Sequence, residues 1–141
     1  MNKKDLASNL VDVRILLENF CDGFDSSCNS KNNVLTTKVK ILQILKRDSK
    51  QSPKQLINKL GLAKSNLAIL AKNLLDEGVI KKEKDDNDKR VIYYYITDKG
   101  FNHLQKSLDN IESQICGCKL PNDKCKKLNK KLEDIIKILN N

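Results

Sequence analysis

Leu6, Leu10, Val13, Leu17 and Phe20 recur at alternating spacings of four and three, which predicts a long helix with one narrow apolar seam. A polar stretch from Asp22 to Asn33, rich in Ser and Asn, interrupts the pattern, and residues 25–33 read as loop. From Thr36 the helical period returns through Val39, Ile41, Leu42 and Leu45 and runs out near Ser49. Ser52-Pro53-Lys54-Gln55 then has the chemistry of a helix start. A hydroxyl can cap, a proline suits the first turn, and a glutamine stands where a capping box needs it. This short helix carries Leu56 and Ile57 to Leu60, and Gly61 supplies the left-handed residue that ends it. A second helix begins three or four residues later, buries Leu67, Leu70, Ala71, Leu74 and Leu75, and stops at Gly78.

After Gly78 the period falls to two. Val79–Lys84 and Val91–Ile96 read as strands around the polar turn Asp85–Lys89, with Ile92, Tyr94 and Ile96 on one face and Val91, Tyr93 and Tyr95 on the other. Thr97 caps a helix bearing Phe101, Leu104, Leu108, Ile111 and Ile115, which Gly117 and Pro121 break. A last helix from about Asn122 carries Leu128, Leu132, Ile135 and Leu139. Two short helices joined through a Gly-Leu corner and followed by a basic hairpin outline a winged helix-turn-helix. The expected fold class is therefore mainly α with a small β-hairpin wing. It comprises an N-terminal helix and loop (1–33), the winged helix (34–99) and C-terminal helices (100–141), all in one compact domain. Seams this narrow fit a partner helix better than a globular core. Leu6, Leu10, Val13, Leu17, Leu128, Leu132, Ile135 and Leu139 are expected to pack against their copies in a homodimer; folding back as a monomer is the alternative.

Composition narrows the reading. The 141 residues suit one domain, and only 5 Gly and 2 Pro disfavour a turn-rich sandwich or barrel. No apolar run is long enough to span a bilayer, and Asp12, Arg14 and Glu18 break any leader behind Lys3 and Lys4. A soluble cytoplasmic protein with no membrane partner is expected.

Net charge is +9, unevenly spread: residues 1–33 sum to −1, 34–99 to +7 and 100–141 to +3. The excess in the middle is where a polyanion would dock, unless lysine serves only as a solubilising surface residue. Opposite the leucines of the second short helix lie Lys64, Ser65, Asn66, Ala68, Ile69 and Lys72. Ser65 and Asn66, near the helix N-terminus, suit base edges or phosphate, and Lys64 and Lys72 suit phosphates. In the hairpin, Lys84 adds a cation and Arg90 has the flat, weakly hydrated head favoured in narrow minor grooves. Asp88, two residues earlier, is placed to hold that guanidinium. The bland alternatives are a solvated helix face and an ordinary surface ion pair. A dimer would set two such helices in successive major grooves of a pseudo-palindromic DNA duplex.

Leu56–Leu75, followed by Asp85-Asp86-Asn87-Asp88-Lys89-Arg90 and Ile96-Thr97-Asp98-Lys99-Gly100, resembles the MarR family of bacterial transcription regulators. Asp85, Asp88 and Arg90 match that family's D-x-x-D-x-R wing. Ile96, Thr97 and Gly100 match its L-T-x-x-G helix start, with Ile for Leu. Leu35-Thr36 resembles the start of the family's second helix, and the likeness spans roughly residues 35–115. The resemblance implies an obligate dimer built from N- and C-terminal helices. It also implies a repressor whose DNA binding a small-molecule, oxidant or metal effector relieves. Two departures stand out: Ala63 replaces the Ser that commonly caps the recognition helix, and Asp22–Asn33 is unusually polar and cysteine-bearing for the first helix.

Five cysteines fall in two groups, Cys21 and Cys28 as C-x6-C, and Cys116, Cys118 and Cys125 as C-x-C-x6-C. An odd number in a cytoplasmic chain argues against a disulfide framework, and neither group alone supplies four ligands for a closed zinc site. The family resemblance implies that the two groups meet at the dimer interface. Some members sense organic hydroperoxides with a first-helix cysteine that links to one near the partner's C-terminus. Lys119, Lys124, Lys126 and Lys127 would favour thiolate if close. Three readings stay open: incidental thiols, redox sensing, and a metal ion or cluster (zinc, copper or iron–sulfur) on pooled cysteines. His103, the sole histidine, reads as a surface or interface residue. With no C-x-x-C, Gly-rich phosphate loop or carboxylate cluster, no enzyme is expected. Alternatives to a DNA-binding regulator are a cysteine-based metal-binding protein and a winged-helix protein-interaction module. The module would need apolar residues on the recognition face, where Ile69 is the single large one.

Overall fold

Thr36 opens the first core helix by accepting a hydrogen bond at Oγ1 from the Val39 N–H (3.3 Å), and the remaining elements are set by equally local devices. In the computed structural model, which describes residues 3–25, 36–117 and 121–140, the order is α1 (Lys3–Asp25), α2 (Thr37–Asp48), β1 (Lys50–Gln51), α3 (Pro53–Leu60), α4 (Lys64–Glu77), β2 (Ile80–Lys84), β3 (Ile92–Ile96), α5 (Asp98–Gly117) and α6 (Asn122–Leu139). The Ser52 capping box is complete: Ser52 Oγ accepts from the Gln55 N–H (3.2 Å) while Gln55 Oε1 accepts from the Ser52 N–H (2.8 Å). Gly61 adopts φ 64° and closes α3, as the sequence leads one to expect. Nearly all of the expected loop at 25–33 lies outside the described residues, as do Cys28 and Cys118. So do the side chains of Leu17, Phe20, Cys21, Ile115 and Cys116.

The wing is more than a hairpin. β1 joins it in a three-stranded antiparallel sheet of order β1-β3-β2, with Lys50 opposite Tyr95 and Gln51 opposite Tyr94. Two polar residues carry no readable alternation, so β1 exists only because β3 offers it an edge. Val79 and Val91, expected as strand residues, belong instead to the flanking caps. The Val79 N–H donates to Leu74 O (3.2 Å) and the Val91 N–H to Asp88 O (3.0 Å).

Ile41, Leu42, Leu45, Leu56 and Leu104 are buried to below 2% exposure and form the centre of the core. Leu67, Leu74, Val79 and Ile80 extend it, and Tyr94 and Ile96 pack on it from the expected face of β3. Leu70 and Leu75 are only half-buried, at the margin of the stripe assigned to them. Leu104 brings α5 onto this core, whereas α6 buries no residue. Leu6, Leu10 and Val13 on α1, and Leu128, Leu132, Ile135 and Leu139 on α6, are all exposed. Val11, Ile15 and Leu16 on α1, with Ile136 and Ile138 on α6, are exposed beside them, so each apolar band is wider than a single seam. Among the described residues no helix is long and apolar enough to cross a membrane.

Asp48 knots three elements at the end of α2. Its carboxylate accepts from Arg47 Nε (3.1 Å), from Lys59 Nζ on α3 (2.7 Å) and, at 3.5 Å, from Gln51 Nε2 on β1. The Arg47 and Lys59 hydrogen bonds hold its pKa at about 2, against an ordinary 3.8. A depressed carboxylate stabilises the fold above its unfolded pKa, and that contribution is lost as pH falls from about 4 towards 2. Asp48→Asn should therefore lower the urea midpoint more at pH 4.5 than at pH 2.5. A gap of equal size at both values would show that the knot contributes nothing through its charge.

Candidate nucleic-acid interface

Leu67, Ala71 and Leu74 anchor α4 in the core, which turns the other side of the helix outward. Lys64, Ser65, Asn66, Ala68, Ile69 and Lys72 are all exposed together, as the leucine stripe requires. Ala63 occupies the N-cap with extended backbone and no side-chain hydrogen bond. The first-turn N–H groups of α4 therefore meet no capping side chain, and the positive end of the helix faces outward.

The turn between β2 and β3 is built from its own backbone. The Asp85 N–H donates to Val91 O (2.9 Å), and Asp88 Oδ1 accepts from the Arg90 N–H (3.0 Å). Asp88 was expected to hold the Arg90 guanidinium. Its shorter bond is to the Arg90 main chain, while Nε lies at 3.4 Å. Asp88 thus shapes the turn, and the Arg90 side chain, 94% exposed, projects from it.

Three elements, α4 among them, converge on one groove. Ser52, Pro53, Lys54 and Ile57 of the α3 start, Lys64, Leu67 and Ala68 of α4, and Arg90 to Ile92 and Tyr94 of the wing enclose a groove of about 690 Å³. Lys72, Ala68, Leu75 and Asp76 line a second hollow with Lys82 and Tyr94. Lys82 stands opposite Tyr94 and Lys84 opposite Ile92, so both share the sheet face that carries buried Ile80. Lys54 and Lys82 are thus members of the cationic face that sequence reasoning missed. The alternation Ile80, Lys82, Lys84 could have revealed Lys82, but Lys54 has no signal short of the tertiary contact. On the opposite sheet face Lys50 stacks over Tyr93 (4.5 Å) and Lys81 over Tyr95 (5.6 Å).

The far end of α4 is tied down by an ion pair between Lys38 of α2 and Glu77, whose hydrogen bond holds the Glu77 carboxyl below its ordinary range. His103 on α5 faces the same pair. Burial, and then the Lys38 charge, push its pKa below the usual histidine value. Among the described residues no group of three His, Cys, Asp or Glu could hold a metal ion. Cys125 is half-buried in the first turn of α6, and the other cysteine side chains lie outside the described set.

These features define the class: a winged helix-turn-helix whose second helix and hairpin present one cationic face. Residues 36–92 match the MarR family profile and form a MarR-type winged helix. It is 30% identical over 95 residues to the transcriptional regulator AdcR of Streptococcus pneumoniae, a stretch covering 67% of this chain and 64% of that protein. It is also 31% identical over 70 residues to the uncharacterized HTH-type transcriptional regulator YkoM of Bacillus subtilis, covering 50% of this chain and 46% of that protein. The chain thus spans less than two thirds of either relative. The fold is shared with the solved structure of transcriptional regulator PA4135, at TM-score 0.66 and 21% identity over 94% of this chain and 96% of that one.

Proposed function

We propose that the protein is a sequence-specific DNA-binding transcription regulator acting as a homodimer, with α4 in the major groove and the wing over the flanking minor groove. The observation that carries this reading is the convergence of Lys54, Lys64, Lys72, Lys82 and Arg90, from α3, α4 and the wing, around α4, with Lys84 on the same sheet face as Lys82. Lysines and arginine neutralise phosphates and fix the register. Ser65, Asn66 and Ala68 are short enough to meet base edges. Arg90 enters the minor groove from a turn that Asp88 shapes. The apolar bands of α1 and α6 supply the surfaces that a second copy would cover. Repression and its relief by an effector enter from the family alone.

The decisive measurement is duplex binding against salt. Six or more phosphate contacts predict a loss of about 10³-fold in affinity between roughly 50 and 200 mM salt. Arg90→Ala should weaken binding by about 10- to 100-fold, since a charge-assisted contact is worth about 1.5–3 kcal/mol. The exposed side chain makes a folding effect small. A flat salt dependence with unchanged affinity in Arg90→Ala would overturn the proposal.

A further inference from the structure

Ile69 stands apart on the cationic face. Among the described residues between 36 and 99 it is the one exposed large hydrophobic side chain, at 62%. Burial of Leu67, Ala71 and Leu74 fixes the rotation of α4, so Ile69 cannot be hidden without exposing them. Helical stability does not account for it either, because a β-branched residue on a solvated helix face is a poorer helix former than Ala, Lys or Gln. The apolar bands read as dimer surfaces lie on other elements, α1 and α6.

Its surroundings name a ligand chemistry. One turn away in either direction lie Ser65, Asn66, Lys72 and Asn73, all exposed and polar, with the methyl of Ala68 adjacent. A small apolar spot ringed by hydrogen-bonding groups and a cation matches the major-groove edge of DNA, where the C5 methyl of thymine is the apolar group on display.

We propose that Ile69, supported by Ala68, packs on a thymine C5 methyl and selects half-sites that carry thymine at that position. This deepens the DNA-binding reading above and rests on it. The test begins by selecting preferred duplexes from a random library with the full-length protein. Each thymine of the selected duplex is then replaced singly by deoxyuridine, which removes the methyl and nothing else.

At one thymine per half-site the wild type should lose about fourfold in affinity, the value of one buried methyl group. Ile69→Ser should bind the thymine and uracil duplexes equally, with an unchanged melting temperature. Lys72→Ala should bind both more weakly and keep the ratio between them. If no uracil substitution weakens the wild type, or if Ile69→Ser keeps full discrimination, thymine reading is overturned while DNA binding stands. Failure to bind any duplex would overturn both.

Discussion

Replacing Gly100 with alanine should cost about 1–3 kcal/mol of stability, the range of an overpacked core site, although the same change inside a helix ordinarily gains up to about 1 kcal/mol. The reason is a backbone contact. A Cβ on Gly100 would lie 2.0 Å from Val79 O, 3.0 Å from Val79 C and 2.9 Å from Ile96 Cγ1. Val79 O also accepts from the Thr97 N–H (3.1 Å), and Thr97 Oγ1 donates to Gly78 O (2.6 Å) and accepts from the Gly100 N–H (3.1 Å). The first turn of α5 is thus clamped onto the end of α4 and the entry to β2. It can move away from a methyl group only by breaking those bonds. Urea titration of Gly100→Ala measures the cost directly. Since Val79 immediately precedes β2 and Ile96 ends β3, duplex binding should fall in parallel. An unchanged midpoint would mean that the clamp is loose.

The double change Leu132→Asp, Ile135→Asp on α6 should yield a monomer and reduce affinity for a duplex with two half-sites by at least about 10²-fold, the scale on which joined binding units reinforce each other. Both side chains are exposed in the chain itself, at 37% and 45%. Covering aliphatic groups of this kind contributes about 1.5–3 kcal/mol each when complete. Two carboxylates per subunit, set against an apolar band and against their own copies, reverse that gain. The core lies in α2–α5 and the sheet, so circular dichroism should still report a helical protein. Sedimentation gives the mass and a titration with one- and two-half-site duplexes gives the binding. A variant that stays dimeric, or a monomer with undiminished two-site affinity, would remove the basis for the homodimer.

The local devices of this fold were legible residue by residue. Ser52 with Gln55, Gly61, Gly78, and Thr97 in its cap on the Gly100 N–H act within a few positions, or through backbone angles of their own, so the sequence alone locates them. The face of α4 is legible for the same reason, because five apolar positions at helical spacing leave one side for Lys64 to Lys72. Arg90 was legible as a wing residue from its place in the hairpin, and its spacing from Asp85 and Asp88 carries the family resemblance, although the main-chain role of Asp88 was not legible.

Contacts between residues distant along the chain belong to the tertiary structure. β1 has no pattern of its own and is a strand only against Tyr94 and Tyr95. Lys54 joins Lys64 and Arg90 because three elements close on one groove. Lys38 meets Glu77 across 39 residues, and Gly100 needs its missing side chain only because Val79 passes beside it. Periodicity and capping record what each segment prefers alone, within about one helical turn. Which polar groups meet across the molecule depends on how the buried leucines pack, and that is a property of the whole chain rather than of any segment.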